Sequence, residues 1–215
     1  MAHADAGRAL ALVAHPLPLS VSSRRENMMA ASYEDIEGKY DRVFGFIQRD
    51  LERFLAQDVG GNFAVAALAA CACETLARYR YGSGDGGDVF RQLLPAGPFH
   101  VVARNLYDVL RNGLVHGYDT KDIRVDGHIM RLALSWRAEP HLSVKEIDGI
   151  PNLVLNVTTL CADLFKAFHY HREELKRSAQ ARDRFFVTYR ETGIFDVNTP
   201  AHVAAWKAIM GNALK

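Results

Sequence analysis

The chain is poor in cysteine: Cys71, Cys73 and Cys161 are its three, too few and too unevenly spaced for a disulfide framework. No second Cys/His pair completes a zinc pattern either. A reducing, cytoplasmic setting is therefore expected. It also lacks charge of one sign. Lys and Arg number 26 against 25 Asp and Glu, a formal net charge of +1, so nothing pulls the whole molecule toward nucleic acid and any phosphate chemistry has to be local. No apolar run reaches membrane-spanning length, because His15, Pro16 and Pro18 interrupt the best one at residues 9–21. No membrane association is expected. The glycine-rich run at 82–87 (GSGDGG) lacks the Lys-Ser/Thr ending of a phosphate-cradling P-loop. His169 and His171, two apart on a helix, point to opposite sides and make no metal pair. No metal and no cofactor is expected.

What is present is ordinary globular material: 49% hydrophobic and 24% charged residues in 215, enough to bury one core. Residues 1–31 read as a disordered leader, with Met28 and Met29 just before the first patterned segment. Residues 32–215 read as a single domain. From Ser32 an apolar stripe (Tyr40, Val43, Phe44, Ile47, Leu51, Phe54, Leu55) predicts a helix ending before Gly60-Gly61. Asn62 is placed to cap a second, Ala-rich helix to about Tyr81, whose small residues suggest close helix packing. The 82–87 run is expected to be a flexible loop. A short helix at 89–94 is stopped by Pro95, and a further helix follows at about 99–113.

From Lys121 the period changes to two. The turn pair Asp126-Gly127 separates two apolar alternations as in a hairpin, and Asp148-Gly149-Ile150-Pro151 separates a further pair at 142–147 and 153–157, predicting a small antiparallel sheet of three or four strands over about 121–157. A long helix is expected from about Thr158 toward Arg184, with Leu160, Leu164, Phe168 and Leu175 inward. Its charged run at 172–184 balances in sign and reads as a solvated face. Thr199-Pro200 looks like a cap followed by proline at the first helical position, opening a last helix that Gly211 ends. The fold class is thus mainly α, a helical bundle with a small antiparallel β insertion.

Opposite the apolar face of the 99–113 helix run Arg104, Asn105, Asp108, Arg111 and Asn112, with His116 one turn beyond Asn112. Such a stripe is by default a solvated face. Asn112 and His116, four apart, share a face if the helix persists, whereas Arg111 and His116, five apart, point about 140° away from each other. Gly113 could bring them together by ending the helix. The long Arg111 side chain adds reach, and a second subunit could supply it too. Plain alternatives are that Arg111 pairs with Asp108, that His116 caps its helix and that Asn112 satisfies helix-end carbonyls. Glu74, a carboxylate among alanines at helical steps, is a further candidate binding residue, its plain reading being a pair with Arg78.

The pattern Arg111-Asn112-x-x-x-His116, inside LRNGLVHG at 110–117, resembles the motif of the HEPN superfamily. The resemblance covers the helical part, and the strands at 121–157 depart from the simple family bundle. It implies a helical bundle acting as a homodimer. It also implies a metal-independent endoribonuclease that cleaves RNA by 2′-hydroxyl attack, in stress or phage defence with an antitoxin or defence partner. His116 would be the base, Arg111 the cation that holds phosphorus oxygens, and Asn112 a group that orients the histidine or binds a phosphate oxygen. From the polar stripe and the alanine-rich helix, Arg104, Asp108 and Glu74 are added as candidate binding residues. Non-catalytic relatives keep a second reading open: a nucleotide-binding or protein-interaction module.

Overall fold

The computed structural model describes residues 31–57, 61–117, 119–136, 139–192 and 199–210. The leader read at 1–31 lies outside them except for Ala31, which packs on the core and whose carbonyl accepts a hydrogen bond from Arg182. The molecule is mainly helical with one small sheet.

The first apolar stripe forms two helices, α1 (Tyr33–Tyr40) and α2 (Phe46–Leu55), joined without a break by a π-helical turn at Asp41–Gly45. Ser32 starts α1 with a capping box, its hydroxyl accepting from the backbone N–H of Asp35 while the Asp35 carboxylate accepts from that of Ser32. The wider π turn shifts the register of the stripe, and Tyr40 and Phe44 both end up buried.

At the centre lies α3 (Asn62–Tyr81), which packs against α2, α4, α5, α6 and α7. Its alanines make this possible, since Ala66, Ala69, Ala70, Ala72 and Ala77 are all buried and let neighbouring backbones approach. The helix starts one residue earlier than a cap at Asn62 would have it. Gly61 precedes it in the left-handed region, and the Asn62 amide instead donates to the carbonyl of Leu134 at 2.9 Å, tying the helix to the sheet.

The flexible loop expected at 82–87 is only half a loop. Asp85 caps α4 (Gly86–Leu93), and Gly86 and Gly87 are buried helical residues. A Cβ on Gly86 would run into the Tyr107 hydroxyl and approach the Glu74 backbone nitrogen to 2.9 Å, so the glycine serves close packing, not freedom. The motif helix α5 (Pro98–Gly117) likewise runs past the expected stop at Gly113. Gly113 is buried, and a Cβ there would strike the carbonyl oxygen of Asp119 and come within 3.1 Å of the Lys121 nitrogen. Its lack of a side chain admits the returning strand-side backbone. It does not break the helix.

The sheet contains β1 (Ile123–Val125), β2 (His128–Ser135), β3 (Ser143–Ile147) and β4 (Ile150–Asn156) in the order β1-β2-β4-β3. The Asp126-Gly127 hairpin forms, and the second hairpin is tighter than expected, since β4 starts at Ile150 and leaves Asp148-Gly149 as its turn; all four turn residues have positive φ. The sheet is nevertheless mixed and not antiparallel, because β2 and β4 pair in parallel. The cause is burial: Asn152 to Asn156 are all buried, so β4 takes a central position between β2 and β3 and joins the two hairpins side by side. β2 and β4 contact α3 and α6.

Asn156 then caps α6 (Val157–Arg177), accepting from the backbone of Thr158 and Thr159. The expected long helix is two, since Ser178 leaves the helical region and α7 (Ala179–Thr192) follows. Leu160, Leu164, Phe168 and Leu175 are buried as expected. The last helix, α8 (Pro200–Met210), starts at the predicted proline and buries no residue. Its expected stop, Gly211, lies outside the described residues.

Candidate functional site

The motif arginine is fixed by a residue 37 positions earlier. Arg111 donates through Nε to Glu74 Oε1 on α3 at 2.9 Å and through Nη1 to Asn112 Oδ1 at 3.2 Å. Neither plain alternative therefore holds: Arg111 turns to Glu74 instead of Asp108, and Glu74 turns to Arg111 instead of Arg78. Both side chains are about one third exposed. The carboxylate holds the guanidinium still more firmly in its charged form than usual. Tyr107, one turn before Arg111, is buried with its hydroxyl donating to the carbonyl of Ala70. Burial and the nearby Glu74 charge keep it a neutral phenol.

Asn112 and His116 lie four apart on one uninterrupted helix, and Arg111 and His116 are therefore about 140° apart around it. The expectation that Gly113 brings them together is overturned by the continuity of α5. The side chain of His116 lies outside the described part of the structure.

The remaining candidates separate. Arg104 pairs with Asp85, the cap of α4, and lies 3.7 Å from Asp88, which ties α5 to the start of α4. Asp108 is exposed on the outward face of α5 with Val101, Val102, Asn105 and Val115. Glu74 has a second neighbourhood. It helps line a cleft of about 360 Å³ with Val43, Cys71, Thr75, Arg78, Tyr79, Gly84 and Thr192. Burial and the Glu74 charge push the Cys71 thiol up, so it stays protonated at neutral pH.

This cleft escapes the reading of the sequence, although one signal for it was present. Cys71, Glu74, Thr75 and Arg78 recur at steps of three and four, a polar stripe on a helix that is otherwise mostly apolar and rich in alanine. Val43 and Thr192 come from segments distant in the chain, and only packing brings them there.

Among the described residues no group of three or more His, Cys, Asp or Glu could hold a metal ion, and no helix is long and apolar enough to cross a membrane. Comparison with protein-family models, with curated proteins and with solved structures finds no match to this chain.

Proposed function

We propose that this chain is a HEPN-like protein whose Arg111-Asn112-x-x-x-His116 motif contributes half of an RNA-cleaving site. The observation that carries the reading is the motif arginine held between Glu74 and Asn112. A cation fixed before substrate arrives stabilises charge growing on phosphorus oxygens without reorganising, and a guanidinium fork suits those oxygens. The reaction is internal transfer: His116 takes the proton of a ribose 2′-hydroxyl, the 2′-oxygen bonds to phosphorus, and the bond to the 5′-oxygen of the next nucleotide breaks. The leaving oxygen takes up a proton, and a 2′,3′-cyclic phosphate remains. No metal is needed to balance it.

Because α5 is unbroken, Arg111 and His116 leave it about 140° apart, and a second copy of the motif would bring the two groups to one phosphate. The exposed outward face of α5, with Val101, Val102 and Val115 among polar residues, offers a surface for that copy. One observation favours the second reading, a nucleotide-binding or protein-interaction module without catalysis: Nε of Arg111 is already bonded to Glu74.

Purified protein incubated with mixed RNA in excess EDTA tests the proposal. Cleavage leaving 2′,3′-cyclic phosphate or 3′-phosphate ends is expected, reduced about 10²- to 10⁴-fold in His116→Ala and Arg111→Ala. A dimeric wild-type protein that leaves RNA intact from acid to neutral pH would overturn it.

A further inference from the structure

The cleft beside Glu74 has an unusual hydrogen-bonding character once its protons are assigned. Thr75 donates its hydroxyl proton to the Cys71 carbonyl at 3.0 Å. Thr192 donates its own to the Thr188 carbonyl at 2.8 Å. The contact between Tyr79 and Thr192, at 3.1 Å, must therefore have Tyr79 as donor. Each of these three hydroxyls has spent its single proton inside the protein, and each retains acceptor capacity. Glu74 adds a carboxylate, which has several lone-pair sites and gives one to Arg111. The strong donors in the lining come from Arg78. Arg78 is exposed, and among the described residues no carboxylate lies within ion-pairing distance of it.

A lining of acceptors with one guanidinium fits a ligand that is anionic at one point and rich in hydroxyl donors elsewhere. We infer that this cleft binds one ribonucleotide unit, its phosphate on the Arg78 guanidinium and its 2′- and 3′-hydroxyls donating to Glu74 and the Thr75, Tyr79 and Thr192 oxygens. About 360 Å³ is at the small end of ligand pockets and suits a single nucleotide. Glu74 is the shared wall, accepting from Arg111 on one side and lining the cleft on the other. A nucleotide held there lies next to the motif arginine. The choice of a ribonucleotide over other hydroxylated anions rests on the RNA-cleaving reading above. The donor and acceptor pattern does not.

The test is calorimetric titration of the full chain at neutral pH with adenosine 5′-monophosphate, its 2′-deoxy counterpart and free leucine. The ribonucleotide should bind about tenfold more tightly than the deoxynucleotide, the value of one lost hydrogen bond to a charged acceptor. Arg78→Gln, an exposed change, should weaken both nucleotides by about tenfold or more and so leave their ratio intact. Equal binding of the two nucleotides, no binding of either, or indifference to Arg78→Gln would overturn the inference. Tighter binding of leucine would overturn it in favour of a site for zwitterions, with carboxylate on Arg78 and ammonium on Glu74. The two readings fail separately. Nucleotide binding without RNA cleavage removes only the catalytic one, and cleavage unchanged by Arg78→Gln without mononucleotide binding removes only the cleft.

Discussion

Glu74 and Glu174 each hold an arginine from another helix through its Nε at 2.9 Å, and the two pairs are about equally exposed, yet what lies behind them differs. Glu174 pairs with Arg80 at the edge of an aromatic hub. There His171, 1% exposed, has ring neighbours Tyr40, Phe44 and Phe185, contributed by α1, the π turn and α7. The His171 Nδ1 is 3.6 Å from Glu174, and among the described residues neither ring nitrogen has a hydrogen-bond partner. Burial drives the His171 pKa down to about 4, with Glu174 pulling it up and Arg80 and Arg184 pushing it further down. The hub behind the Glu174 pair holds His171 as a buried neutral ring, while Glu74 itself lines a cleft. Charge held at a partly open surface can meet a ligand. A neutral ring locked among aromatics can only pack.

The largest effect should come from emptying the hub. Phe185→Ala removes a fully buried ring that contacts Tyr40, Tyr79 and His171, and should cost about 3–5 kcal/mol in urea unfolding. A loss below about 1 kcal/mol would mean the hub is not where stability resides.

Acid should act next. The His171 pKa is depressed on folding, so between pH 6.5 and about 4 the unfolded chain binds the proton that the folded chain refuses. The stability from a neutral His171 is therefore full above pH 6.5 and is lost as pH falls toward 4, by about 3 kcal/mol in all. His171→Phe should flatten that part of the pH profile. A slope in that window as steep as in the wild type would assign it to other groups.

The smallest effect is expected at the other pair. Glu74→Gln breaks an ion pair whose side chains are about one third exposed, and should cost about 1 kcal/mol or less in the same urea measurement. A loss as large as that of Phe185→Ala would make Glu74 a core element and remove its contrast with the hub.

Much of the fold could be read from residue spacing, because spacing reports which face of an element is apolar. The stripes from Tyr40 to Leu55 and from Leu160 to Leu175, the Asp126-Gly127 hairpin and the Thr199-Pro200 start are all local patterns, and the structure contains them. Glycine was the weak point. Gly86 and Gly113 have the composition of a loop and a helix stop, but each sits inside a helix where another chain segment comes too close for a side chain. A single sequence gives no sign of such approach.

The candidate site divides the same way. Order along the chain alone placed Arg111, Asn112 and His116 within two turns of one helix, with Asn112 and His116 on a common side. The partner of Arg111 could not be read there, because Asp108 and Glu74 are both carboxylates at plausible positions and only the packing of α5 on α3 selects Glu74. Parallel pairing of β2 with β4 was likewise a matter of which strand was buried deepest. Local periodicity is set by the backbone's own geometry and so belongs to the sequence. Which helix meets which carboxylate depends on how whole faces pack, and that is decided only in three dimensions.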